Sequence, residues 1–317
     1  MNLNEFKKKN ILVIGDIILD KYIFGKVERI SPEAPVPIIA VEREKYVPGG
    51  AANAASNVAG LGGNAILMGI VGDDMARDVL IDEARKRGID TQAVITDAKK
   101  PTIQKIRVVG QNQQLLRIDY EDNDYIEKDV NDKLLEKLEG IKKVDAIIIS
   151  DYAKGTITRE LMEKLKEYSK KRDAFLLIDP KPRHKGFYKG CSLITPNKKE
   201  AEELSGMHIE TKEDLEKAGK RLIEELGCNV LITMGEKGMS LFEKNKQALH
   251  IPTVAKEVFD VSGAGDTVIA TLSLAISSGA SLKEAAILAN YAAGIKVGKL
   301  GTATVSISEL KASLENG

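Results

Sequence analysis

Short, nearly uninterrupted apolar runs recur along the chain with charged amphipathic stretches between them, and this alternation restricts the fold more than any other feature. Ile11-Leu-Val-Ile14, Ile66 to Val71, Ala146 to Ile149, Phe175 to Ile178 and the shorter Leu193-Ile194 read as strands buried on both faces. Val230 to Thr233 is expected to close the series. Met75 to Arg87, Leu161 to Lys171 and Lys212 to Leu226 pair a charged face with an apolar one, as helices covering a sheet do. The pattern predicts a doubly wound α/β fold, a mostly parallel sheet with helices on both faces.

Two segments break the alternation. Tyr22 to Val27 and Val36 to Val41 read as short strands around the bend Ser31-Pro-Glu-Ala-Pro-Val-Pro37, and Ile103 to Val109 and Gln114 to Ile118 as a hairpin about Gly110-Gln-Asn112. They predict a small β appendage, from about 17–48 and 91–119, on a single domain spanning residues 1–317. Gly49-Gly50 opens a small-residue helix that runs to about Leu61. With 317 residues, 43% of them hydrophobic, the chain can bury a core of this size.

Lys plus Arg and Asp plus Glu both number 47, so the net charge is zero and a coat for nucleic acid or an anionic membrane is not expected. A local basic pocket for a small phosphorylated molecule remains compatible with that balance. Cys191, Cys228, His184, His208 and His250 show no zinc-ligand spacing, and the two cysteines read as reduced thiols. The polar, lysine-rich start does not resemble a signal peptide, and no apolar stretch approaches the ~18 residues of a membrane span. A cytoplasmic location is expected.

The sharpest local signal is Gly263-Ala-Gly-Asp266 ahead of the apolar run Thr267 to Ala275. Free backbone N–H groups at a helix start favour an anion, and glycines let a phosphate approach. A carboxylate at that spot can take a proton from a nucleophile attacking phosphorus. The same residues equally describe an ordinary helix start with an acid in its first turn. Neither a G-x-x-x-x-G-K-[ST] loop nor a G-x-S-x-G elbow occurs.

Asp260-Val-Ser-Gly-Ala-Gly-Asp266 resembles the carboxy-terminal signature of the ribokinase (PfkB) family of carbohydrate kinases. Gly49-Gly50-Ala-Ala-Asn53-Ala resembles the family's amino-terminal signature, Asn197-Lys-Lys-Glu200 its N-x-x-E motif, and Thr233-Met-Gly235-Glu-Lys-Gly238 its nucleotide loop. The resemblance implies ATP-dependent phosphorylation with Asp266 as base and the N–H groups of Gly263, Ala264 and Gly265 on the transferring phosphoryl group. It implies Mg²⁺ held by Asn197 and Glu200, directly or through water, though the pair also fits a helix cap. Thr233, Gly235, Gly238, Gly265 and Asn290 would line the nucleotide site, with Lys181 reaching the phosphates or serving as a plain loop lysine. Asp16, Asp20, Gly49, Gly50 and Asn53 would meet the sugar, with Asp16 a turn residue as the alternative. The β appendage would be the family's lid, closing over the sugar and pairing two copies as a homodimer, and a monovalent cation such as K⁺ is implied beside the catalytic turn.

Val261 and Ser262 depart from the two threonines usual in the signature. That departure resembles the subgroup acting on D-glycero-β-D-manno-heptose 7-phosphate, as do Gly15 to Asp20, Arg29 to Pro37, Gln113 to Asp119 and Ser150 to Gly155. The implied reaction phosphorylates the anomeric 1-hydroxyl, giving heptose 1,7-bisphosphate. A sugar phosphate needs cations, for which Arg117, Lys154 and Arg29 are candidates, each otherwise a surface charge. The subgroup is often fused to an adenylyltransferase, here expected as a separate polypeptide. Another sugar or sugar-acid kinase of the family is the alternative reading. A catalytically silent sugar-binding protein would have no need of the base.

Overall fold

A computed structural model describes residues 2–111, 113–255, 257–299, 301 and 303–315. The chain runs β1 (Asn10–Gly15), β2 (Ile17–Ile30), β3 (Pro37–Gly50), α1 (Ala51–Gly60), β4 (Asn64–Val71), α2 (Met75–Lys86), β5 (Asp90–Thr96), β6 (Ile103–Gly110), β7 (Gln113–Tyr120) and α3 (Lys128–Gly140). It continues through β8 (Ala146–Ser150), α4 (Arg159–Arg172), β9 (Phe175–Asp179), β10 (Leu193–Ile194), α5 (Lys198–Ser205), α6 (Lys212–Leu226), β11 (Asn229–Thr233), β12 (Met239–Phe242) and β13 (Leu249–Ile251). It ends with α7 (Ala264–Ser277), α8 (Leu282–Val297) and α9 (Ile307–Glu315).

The main sheet has the order β13-β12-β11-β10-β9-β8-β1-β4-β5 and is parallel from β11 to β5. The expectation that Val230 to Thr233 closes the series is corrected, because β12 and β13 add two antiparallel strands beyond it. Both faces are covered, which explains the continuous apolar runs. Ile11 and Val13 of β1 enter one core with α1, α2, α7 and α8, while Leu12 and Ile14 enter the other with α3, α4, α5 and α6. Cys191 and Cys228 are free thiols buried in this second core.

A second sheet, order β3-β2-β6-β7, stands apart from the first. Its strands are longer than the sequence suggested, because β2 and β3 begin and end inside the core and pair from Ile17↔Gly50 outward. Residues 91–96, expected in the appendage, instead form most of β5 at the edge of the main sheet. The β6–β7 hairpin is as expected; Asn112 of its turn lies outside the described residues.

Strand β1 lies between β4 and β8, so the connections leave it in opposite directions, and the carboxyl ends there form the crevice where an open α/β sheet receives ligands. Register places Gly15 beside Ser150 and Ser150 beside Asp179. Three carboxylates, Asp16, Asp151 and Asp179, therefore stand at the ends of three adjacent strands.

Candidate active site

Helix α7 is buried from Asp266 to Ile276, while Gly263 and Ala264 are half-buried and Gly265 is exposed, so its first turn opens onto a cleft with the rest of the helix anchored in the core. Its cap residue, Gly263, has φ 77° and offers no side chain to the free N–H groups. A left-handed backbone there is cheap only for glycine. Asp266, third in the helix, is buried, and its Oδ2 accepts from Asn53 Nδ2 at 2.6 Å. Its Oδ1 has no hydrogen-bond partner among the described residues. Burial pushes the Asp266 carboxyl up to about 7, and Asp20 adds to the rise, while the Asn53 hydrogen bond and the charges of Lys181 and Lys296 oppose it. A carboxyl with one free oxygen and an affinity for protons near neutrality is suited to general-base work.

Helix α1 is held against α7 by polar contacts. Thr267 Oγ1 donates to Asn57 Oδ1 at 2.7 Å, and Asn57 Nδ2 donates to the Asn53 carbonyl at 2.9 Å. The Asn53–Asp266 bond is thus supported from behind, and the two glycine-rich signatures meet although 213 residues separate them.

Asp20 lies at the base of the second sheet, paired with Arg107 of β6. Gly49 is its neighbour: a Cβ there would stand 2.4 Å from Asp20 Oδ2. Gly50 follows at the entrance to α1. Asp16 does not join them. It has no exposed surface, and its carboxylate accepts from the backbone N–H groups of Tyr152, Lys154 and Thr156 at 2.9–3.1 Å. Three backbone donors and the lack of exposed surface favour the turn alternative for Asp16, in which it anchors the 152–156 loop, over contact with sugar.

Arg117 is likewise not brought to Asp266. It sits on edge strand β7, half exposed, paired with Asp119 at 2.9 Å. Register places it directly across from Arg107, on the same face of the second sheet. Lys154 donates to Glu121 at 2.6 Å. Arg29 is an exposed residue near the far end of β2.

Asn197 caps α5, accepting from Glu200 N at 2.9 Å, while Glu200 Oε2 accepts from Asn197 N at 3.0 Å. Glu200 Oε1 pairs with Lys181, whose ammonium also lies 5.5 Å from the centre of the Tyr152 ring. With these oxygens engaged, the pair fits a water-mediated hold on a metal better than direct ligation. No cluster of three His, Cys, Asp or Glu side chains suited to a metal exists among the described residues.

Beside the α7 start, a cavity of about 490 Å³ is lined by Thr233, Gly235, Gly238, Gly265 and Asn290 together with Val261, Ala264 and Val268. Five positions assigned from sequence to the nucleotide thus share one largely apolar wall. Asn290 Nδ2 donates to the Pro252 carbonyl at 2.7 Å, which fixes its orientation. Another cavity, about 740 Å³, lies between β5 and α3 and shares no residue with this one. It is remote from the strand ends that carry the carboxylates.

Sequence reasoning missed Arg107, Asp179 and Tyr152. Burial, then the charges of Asp266 and Glu200, hold the Asp179 carboxyl well above its ordinary range. Tyr152 is pushed well up by the charge of Asp266 and by burial. Asp179 carries a visible signal, an acid closing a buried strand two residues before Lys181. Arg107 is one polar residue among several on its strand, and only the pairing with β2 brings it to Asp20.

Residues 8–309 match the pfkB family of carbohydrate kinases. The chain belongs to this family. It is accordingly an ATP-dependent carbohydrate kinase. It is 44% identical over 307 residues to the bifunctional protein HldE of Geobacter sulfurreducens, covering 96% of this chain and 63% of the relative. It is 46% identical over 309 residues to that of Haemophilus influenzae strain PittEE, covering 97% and 64%. The chain thus spans less than two thirds of the length of these relatives. Among solved structures, Arabidopsis thaliana ribokinase complexed with ribose and ATP superposes with a TM-score of 0.76 at 19% identity, over 97% of this chain and 98% of that one. Phosphofructokinase-2 of Escherichia coli in complex with potassium gives 0.79 at 18%, with coverage of 97% and 98%. At these identities the likeness establishes the ribokinase-like fold. No helix among the described residues is long and apolar enough to cross a membrane.

Proposed function

We propose that the chain transfers the γ-phosphoryl group of ATP to the anomeric 1-hydroxyl of D-glycero-β-D-manno-heptose 7-phosphate, with Asp266 as the base. The observation that carries the reading is the free, buried Oδ1 of Asp266 in the first turn of α7. In this reading the hydroxyl oxygen attacks the γ-phosphorus, the bond to the bridging oxygen of ADP breaks, and Asp266 takes the hydroxyl proton. The products are heptose 1,7-bisphosphate and ADP. The N–H groups of Gly263 and Gly265 meet the charge that develops on the phosphoryl oxygens, while that of Ala264, expected to join them, donates to the Val261 carbonyl at 3.2 Å.

Asp20, Gly49, Gly50 and Asn53 orient the sugar in this account, and Thr233, Gly235, Gly238 and Asn290 receive the nucleotide. Lys181 faces its phosphates. Mg²⁺, when bound, neutralises phosphate charge, with Asn197 and Glu200 holding it through water. The monovalent ion is the one expected cofactor this chain has reason to dispense with, because a lysine ammonium is buried beside the turn.

The choice of heptose 7-phosphate is supported by the subgroup resemblance of Val261-Ser262 and by relatives of 43–46% identity that share the HldE name. The 7-phosphate is assigned to the cationic face of the second sheet. Arg107 belongs to that face at its buried end and Arg117 at its rim. The second sheet acts as the lid. Its other face exposes Leu116, Ile118 and Tyr120, and we assign that face to a homodimer in the cytoplasm. An adenylyltransferase has its place downstream of this reaction in the proposed pathway.

A panel of sugar phosphates and sugar acids with Mg-ATP, followed by ADP release, tests the substrate. Heptose 7-phosphate should give the highest kcat/KM. A preference for fructose 6-phosphate or a keto-deoxy sugar acid would replace it with the alternative kinase reading. Arg107→Ala should raise KM for the sugar phosphate about tenfold or more, as loss of a charged contact does, and Arg117→Ala by less. The reverse order would move the phosphate to the rim.

A further inference from the structure

Lys296 is a charge where solvent cannot reach it. It stands in the last turn of α8 with no exposed surface, and its ammonium donates to the Gly301 carbonyl at 2.8 Å. Among the described residues, the charged groups that act on it are Asp260, Lys299 and Asp266. Lys299 is occupied elsewhere, by Glu309 at 2.6 Å and the Thr304 carbonyl at 2.8 Å. An ammonium without water needs compensation, and here it comes from carbonyl oxygen, from the carboxylates and from the negative end of α8.

The surroundings form a frame. Asp260, first residue of the catalytic turn, accepts from Ser262 N at 2.8 Å and from Gly301 N at 3.0 Å. Phe259 N and Asp260 N both donate to the Val297 carbonyl, at 2.8 and 3.2 Å. The end of α8, the segment after it and the start of the turn are therefore tied together, and the ammonium sits among them. Its charge lies on the side of the α7 N-terminus, where it adds to the positive end of that helix.

We propose that Lys296 is the resident cation of the catalytic turn, standing in for the monovalent metal ion that the family resemblance implies there. The residues present do not fit a second cation. The Gly301 carbonyl already accepts from the ammonium, and a fixed like charge at close range disfavours another. Lys296 is a positioning residue: it touches neither sugar nor nucleotide, and it holds the 260–266 turn while adding positive potential where phosphoryl charge develops.

The test compares wild type and Lys296→Met in a choline buffer, with K⁺ raised to about 0.15 M at constant ionic strength. Wild-type turnover should change by less than about twofold. Lys296→Met should lose about 10–100-fold in kcat, the range for one electrostatic contact, leave KM for sugar unchanged, and recover when KCl or NH₄Cl is added. Thermal melting supplies a readout that needs no sugar, so it stays readable if the heptose assignment fails. K⁺ should raise Tm of the variant and leave that of wild type in place. A wild type activated several-fold by K⁺, or a folded variant that is fully active without cation or unresponsive to it, overturns the proposal. Should Lys296→Met not fold, Lys296→Arg keeps the charge and should turn over without K⁺; dependence of that variant on K⁺ is equally contrary.

Discussion

Helices α5 and α7 begin at the same cleft with an acid at the third helical position, and they use it in opposite ways. At α5, Asn197 and Glu200 satisfy each other's backbone, and the remaining Glu200 oxygen is taken by Lys181. At α7 the cap is a glycine, no side chain serves the free N–H groups, and Asp266 turns across to Asn53 with one oxygen unpaired. The first arrangement obeys the rules of helix capping and stabilises the fold. The second breaks them, leaving donors free for an anion and a carboxylate free for a proton. In the proposed function this departure from good local structure is where the reaction takes place.

Exchanging the acids breaks the comparison most sharply at Asp266. Asp266→Asn should lose ~10²–10⁴-fold in turnover while binding nucleotide normally. It should also stabilise the protein at alkaline pH. The Asp266 carboxyl is raised from an ordinary value of 3.8 to about 7, so the native state binds this proton more tightly than the unfolded chain. Its favourable contribution is complete below 3.8 and is lost as pH rises through 7. At pH 8 the variant should therefore gain on the order of 2–4 kcal/mol, and at pH 3.5 almost nothing. Urea unfolding at the two pH values checks the sign, and a variant less stable at pH 8 would contradict it.

Glu200→Ala should act in the other direction. Loss of the capping box and of the Lys181 partner should cost about 1–2 kcal/mol and raise KM for Mg-ATP several-fold. The shape of the pH–rate profile should not move. If it did, Glu200 and not Asp266 would carry the titration. Asn197→Ala, which removes the cap and one of the two proposed water-mediated holds on Mg²⁺, should cost ~1 kcal/mol and raise KM for Mg-ATP by less than Glu200→Ala does, as thermal melting and steady-state rates would show.

The same contrast shows what the sequence could reveal. Strand and helix periods identified the doubly wound core because each apolar run is buried on both faces, and β1 shows that directly. The two antiparallel strands past β11 were missed because Met239–Phe242 and Leu249–Ile251 are too short for a period to register. Asn197 and Glu200 were legible as a cap, since capping is local. Asp266 stood out locally as an acid in a glycine-rich helix start and Asn53 only through resemblance; their contact was not legible, because 213 residues separate the partners. Asp16 and Asp20 looked alike in sequence. They differ because the 152–156 loop folds over the first and Arg107 reaches the second.

Whether Asp266 holds its proton near neutral pH can be read from carboxyl ¹³C NMR of aspartate-labelled protein. Subtracting the spectrum of Asp266→Asn from that of wild type isolates one carboxyl. That carboxyl should titrate at about 7. Ionisation of that carboxyl at the ordinary aspartate value would show that the free oxygen is a plain carboxylate and would contradict its role as a base tuned by burial.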